Sequence, residues 1–174
     1  MRVVTAVEND FGKDNEIRLF LAGGITNCPD WQRDVIERLS KIQGLDDLVV
    51  FNPCRENFPI HDPNASNEQI KWEFDRLQIM DIFSMFFCGG ESDQPICMYE
   101  LGRNLMTMHV KFPDDWKERV VITCDNAYRR SNDVEIQTSL AMGTVPYNMF
   151  FGGDYNALIE RHVSNIVKAY EALK

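Results

Sequence analysis

The stretch best equipped for chemistry is Gln94-Pro95-Ile96-Cys97-Met98-Tyr99-Glu100-Leu101-Gly102-Arg103-Asn104. It follows the apolar run Ile82–Cys88 and the pair Gly89-Gly90, so a strand, a loop and a helix in succession would put Glu100 in the first or second helical turn. There the helix dipole favours an ionised carboxylate, the form a nucleophile needs. Gly102 costs a helix interior about 1 kcal/mol relative to Ala, which points to close packing at that spot. The plain alternative is a solvent-facing glutamate beside a packing glycine.

A second acidic set runs from Gln69 to Asp81. At about 100° per residue, Ile70, Phe74 and Leu77 form one apolar stripe, Glu73 borders it at roughly 60°, and Asp75 points nearly opposite. Glu73 therefore reaches a crevice more easily than Asp75. Trp72 and Ile79 share the Asp75 side, where they would make a patch for a second subunit. Asp81 closes this helix before the next strand. Upstream, Gly23-Gly24-Ile25 follows an apolar strand and leads into a helix start, so a ligand could approach the bare backbone there. Asn52-Pro53-Cys54-Arg55 ends another strand in the same way and offers Arg55 to a carboxylate or phosphate. Neither GxGxxG nor GxxxxGK[ST] occurs, so no dinucleotide fingerprint or P-loop is present.

Eighteen Lys and Arg against 27 Asp and Glu give a net charge of −9, which repels a nucleic-acid backbone at long range. Polymeric nucleic acid is thereby disfavoured as a partner, whereas a small anion held by one or two local arginines is not. Five cysteines form no CxxC pair, and with three histidines they offer no zinc-ligand spacing, so no metal is expected. The methionines sit in apolar segments and read as core rather than cofactor contacts. The odd cysteine count points to reduced, mostly buried thiols in a reducing, cytoplasmic compartment. The opening MRVVTAVEND reaches Glu8 before a secretory apolar region could form, and no apolar run approaches the ~20 residues that cross a bilayer.

These residues must be positioned by an alternation of apolar β-rich runs and segments of helical period, the signature of an open parallel sheet flanked by helices. The strands would be Ile17–Ala22, Leu48–Asn52, Ile82–Cys88, Arg119–Cys124 and Val145–Phe150, with helices near 30–43, 67–80, 96–109, 133–142 and 154–173. Arg2–Val7 could add an edge strand. Ser66 with Gln69 three residues on fits a capping box, and the prolines of 53–65 read as a long loop after the second strand. No linker or repeat divides residues 1–174, which therefore read as a single domain.

Together LFLAGGI, DWQRDVIERL, VFNPCRENF, QIKWEFDRLQIMDIF, PICMYELG and RRSNDVEIQTSLA resemble, in order and spacing, the nucleoside 2-deoxyribosyltransferase-like family in a branch with a WE…D…ELG pattern. The resemblance implies a flavodoxin-like three-layer α/β fold with a five-stranded parallel sheet. It also implies cleavage or transfer at the N-glycosidic bond of a nucleoside or nucleotide, without metal or organic cofactor. By position it makes Glu100 the nucleophile and Glu73 the proton donor or sugar-orienting group, eight residues before Asp81, which completes the catalytic set. It puts Gly23, Gly24 and Ile25 beneath the ligand, Asp93 near the base, and Asn132 and Asp133 on the far side. The tyrosine that orients the nucleophile in well-studied members is Phe20 here. A homo-oligomer is implied as well. The alternative is a module that binds or sequesters a nucleotide-like ligand in the same crevice.

Overall fold

The computed structural model describes residues 1–59, 61–143 and 149–174, the last segment by backbone alone over 149–151. Six strands form one sheet: β1 (Arg2–Thr5), β2 (Ile17–Gly23), β3 (Leu48–Asn52), β4 (Ile82–Phe87), β5 (Val120–Asp125) and β6 (Met149–Gly152). Their order is β1-β3-β2-β4-β5-β6 and every pairing is parallel. Without β1 this is the flavodoxin order, and β1 is the added edge strand beside β3. The expected strand at Val145–Phe150 falls largely outside the described residues, with β6 appearing at its end.

Five helices cover the two faces: α1 (Trp31–Leu39), α2 (Ala65–Ile79), α3 (Pro95–Lys111), α4 (Ser131–Met142) and α5 (Tyr155–Glu171). Strand side chains alternate between two cores. Leu19, Leu21, Val50, Ile82 and Phe86 pack with Trp31, Val35, Leu39, Leu158 and Ile166 of α1 and α5. Phe20, Ala22, Phe51, Phe83, Met85 and Phe87 pack with Trp72, Leu77, Leu101, Leu105 and Val134 of α2, α3 and α4. Within the first core His162 of α5 is fully buried, bonding Ser84 Oγ at 2.8 Å and Thr123 Oγ1 at 2.9 Å, and burial holds its pKa down to about 3. It ties α5 to the sheet as a neutral side chain.

The phase of α2 differs from the sequence expectation. Ala65, Trp72, Arg76 and Leu77 are buried, whereas Ile70 and Phe74 are 63% and 48% exposed. The cause is the segment before β2, which folds over α2. Trp72 Nε1 donates to Glu8 O at 2.8 Å, Arg76 Nη2 donates to Glu8 O at 2.8 Å and Asp10 O at 3.0 Å, and the Phe11 ring lies 3.9 Å from the Arg76 guanidinium. The proposed subunit patch on Trp72 and Ile79 is thus covered from within the chain. The expected capping box is also absent. Ala65 opens the helix and Asn64 makes no side-chain cap, leaving Gln69 free for another task.

Cys28 and Cys88 are joined as a disulfide, contrary to the expectation of five reduced thiols, while Cys54, Cys97 and Cys124 are free. The turn after β2 brings Cys28 back against the end of β4. No helix among the described residues is long and apolar enough to cross a membrane.

Candidate active site

The chain goes to one side of β2 through α1 and returns to the other side through α2, so the carboxyl ends of β2 and β4 diverge and leave a crevice. Its floor is the turn at Gly23-Gly24. A Cβ on Gly23 would collide with Phe86 O and the Trp31 ring, and one on Gly24 with the Gln94 amide and Cys28 Sγ. Only glycines let these groups close so tightly. Trp31 Nε1 donates to Gly24 O at 2.8 Å, pinning the turn to α1.

Opposite stands the loop from Cys88 to Gln94. Gln94 takes a left-handed backbone conformation (φ 44°), and its buried amide accepts from Cys88 N at 3.2 Å and donates to Cys88 O at 2.8 Å. This clamp fixes where α3 begins and hence where Glu100 stands. The sequence reading missed it, because a buried glutamine bonded across a loop has no periodic or motif signal.

Between these walls lies a cavity of about 450 Å³ lined by Phe20, Gly23, Gly24, Ile25, Glu73, Asp93, Cys97 and Glu100 among others. A volume of this size suits a small organic ligand. Glu73 and Glu100 thus share one chamber, as the sequence expected, although they come from different helices. Gln69, one helical turn before Glu73, donates through Nε2 to Glu73 Oε1 at 2.8 Å and to Pro53 O at 2.5 Å, which holds that carboxyl toward the cavity. The i,i+4 spacing of Gln69 and Glu73 was the available signal for this pairing. Asp75, by contrast, turns away and pairs with Lys71 at 2.6 Å.

The electrostatics of the pair depart from expectation. Glu100 is the sixth residue of α3, and the dipole effect fades beyond the first turn. Burial, reinforced by the Glu73 charge and only partly offset by Arg103, pushes its pKa up to about 7. Burial also raises Glu73, against the lowering effect of Gln69. Desolvation thus disfavours the ionised form of both carboxyls, and at Glu100 the Glu73 charge adds to it. Among the described residues no hydrogen bond reaches the Glu100 carboxylate. Phe20 lines the same cavity with no hydroxyl to offer.

A stability consequence follows from this rise. Glu100 is protonated in both folded and unfolded chains below its ordinary value of 4.5, so burial carries no ionisation penalty there. The penalty grows between 4.5 and about 7 and is complete above, reaching at most about 3 kcal/mol. Glu100→Gln should therefore melt several degrees higher than the wild type at pH 8 and show little gain at pH 4. Calorimetry that finds no gain at pH 8, or an equal gain at both values, would contradict the desolvated carboxylate.

The remaining candidates divide. Asp93 lines the cavity, paired with Arg129, and its carbonyl accepts from Tyr128 Oη at 3.0 Å. Arg55 lies in an adjoining cavity that also includes Ile25 and Glu73. Asn132 and Asp133 occupy the first turn of α4 and do not line the Glu100 cavity, with Asp133 bonded to Arg130 at 3.2 Å. Asp81, expected to complete the catalytic set, does not line the Glu100 cavity. It precedes β4, at the opposite end of a six-residue strand that spans about 20 Å. There its Oδ2 accepts from Arg18 N at 2.9 Å and pairs with Arg18 Nη1 at 3.4 Å, which fastens the start of β4 to β2.

A comparison with curated proteins returns no match. The segment from just before β2 to the end of α3 carries the glycine turn, Glu73 and Glu100. Residues 16–112, more than half of the chain, match the model of the nucleoside 2-deoxyribosyltransferase like family, to which this chain belongs.

Proposed function

We propose that the protein breaks the N-glycosidic bond of a nucleoside or nucleotide through Glu100 and passes the sugar to water or to a second base. The observation that carries this reading is that Glu73 and Glu100 line one small cavity, where burial disfavours the ionised form of both carboxyls. A Glu100 oxygen attacks the anomeric carbon while the carbon–nitrogen bond breaks and its electron pair leaves with the base. Glu73 gives that nitrogen a proton. The oxocarbenium character of the transition state favours the ionised form of Glu100 as positive charge develops beside it. The glycosyl ester is then cleaved by water, or by an incoming base, with Glu73 taking back the proton.

Desolvation replaces hydroxyl orientation in this account. With Phe20 where a tyrosine would bond the nucleophile, Glu100 is a carboxylate poorly solvated before substrate arrives. Incubation with nucleosides, 2′-deoxynucleosides, their 5′-monophosphates and an acceptor base, followed by chromatography, tests the reading. Release or exchange of a base is the expected result. Saturable binding with neither would favour the sequestering module instead.

A further inference from the structure

The Glu100 cavity adjoins a second, larger one of about 840 Å³ across a boundary formed by Ile25, Thr26, Pro53 and Glu73. The two differ in charge. Among the described residues the first is lined by Glu73, Glu91, Asp93 and Glu100 and by no Lys or Arg, so an anionic group would meet like charge there. The second sets Arg33 and Arg55 beside Asp30, Glu56 and Glu73, and is the one of the two that holds cations. Arg33 is engaged by Asp30 at 3.0 Å and Asp34 at 3.8 Å.

Arg55 is not engaged by any acid among the described residues. Its guanidinium stands 5.5 Å from the centre of the Phe58 ring, and its Nη1 is buried without a hydrogen-bond partner. Gln32, on the first turn of the nine-residue α1, lines the same cavity, is 1% exposed, and leaves Nε2 unpartnered too. Two unpartnered donors on residues that line one cavity fit a ligand that brings several acceptor oxygens. The acids of this cavity leave room for such a ligand. Asp30 is paired with Arg33, Glu56 is exposed, burial disfavours the ionised form of Glu73 at the boundary, and the Cys54 thiol, pushed up to about 11 by burial, adds no charge at neutral pH.

We propose that the second cavity holds the phosphate of a nucleoside 5′-monophosphate, with Arg55 and the Gln32 amide as its donors, while the anomeric carbon faces Glu100 across the boundary at Glu73. The proposal rests on the glycosidic reading for the sugar but places the phosphate independently of it. It makes nucleotides, rather than nucleosides, the substrate class.

Titration calorimetry on Glu100→Ala, which keeps the ligand intact, compares the common ribo- and deoxyribonucleoside 5′-monophosphates with their nucleosides. At least one monophosphate should bind about tenfold or more tightly than its nucleoside, as charge-assisted hydrogen bonds imply. Adding Arg55→Leu should bring that ratio to within about twofold, and Arg55→Lys should retain part of it. The subsite is overturned if no monophosphate binds, if Glu100→Ala shows no preference, or if Arg55→Leu weakens both ligands equally, the mark of an arginine reading the base or sugar. The two readings fail separately. A preference for monophosphates with no base release by the wild type contradicts the chemistry and keeps the subsite, while equal base release with and without phosphate does the reverse.

Discussion

Replacing Glu100 with Ala is expected to leave the protein folded and to lower base release by at least ~10³-fold, because a covalent route has no substitute for the carboxylate at the anomeric carbon. Folding should survive for a reason visible in the site. Glu100 is not hydrogen-bonded among the described residues, and its ionised form is opposed by burial and by Glu73. Loss of activity together with retained or increased melting temperature is therefore the expected pattern. Activity within about tenfold of the wild type in a folded variant would remove Glu100 from the role of nucleophile.

The second large effect concerns the proton. Glu73→Gln should lower turnover by about 10²-fold or more, the usual contribution of a positioned general acid. Gln69 already donates to Glu73 Oε1, and a glutamine at position 73 can still accept that bond, so the loss reports on the proton rather than on geometry. The deficit should shrink for a nucleoside whose base departs without protonation. Asp75→Asn, on the outer side of α2 and paired with Lys71, should stay within a few-fold of the wild type. If Asp75→Asn abolishes turnover and Glu73→Gln does not, the acid has been placed on the wrong side of the helix.

Both residues were visible in the sequence, though for unequal reasons. Glu100 followed from an apolar strand, a glycine pair and a helix start, which together place a carboxylate near the carboxyl end of a parallel sheet whatever the details. Glu73 was read from a stripe of Ile70, Phe74 and Leu77 whose first two members are exposed. The error arose because α2 is covered on a second side by residues 8–11, a long-range contact that local periodicity does not encode. Glu73 still reaches the cavity because it lies next to the true buried row of Ala65, Trp72 and Arg76, with half-buried Gln69 one turn before it.

Asp81 shows what spacing leaves out. Its spacing from Glu73 was regular, but a residue before a strand and a residue after it stand at opposite ends of the sheet, and spacing alone does not say which end carries the chemistry. The Gln94 clamp and the Cys28–Cys88 disulfide depend on segments some 6 and 60 residues apart meeting at one turn. Both became apparent only when the strands were paired. The parallel sheet flanked by helices, by contrast, was legible in the alternation of apolar runs and helical segments, and its flavodoxin-like arrangement was implied by the family resemblance.

A covalent bond between Glu100 and the sugar separates this chemistry from direct displacement by water, and mass spectrometry of the intact protein detects it. A 2′-fluoro analogue of whichever substrate releases its base slows breakdown of a glycosyl ester, since the fluorine disfavours positive charge at the anomeric carbon. The expected result is a mass gain of one glycosyl unit, mapping after digestion to the peptide that contains Glu100 and missing in Glu100→Ala. Base release from the analogue with no adduct on the protein, or an adduct on a different residue, would contradict it.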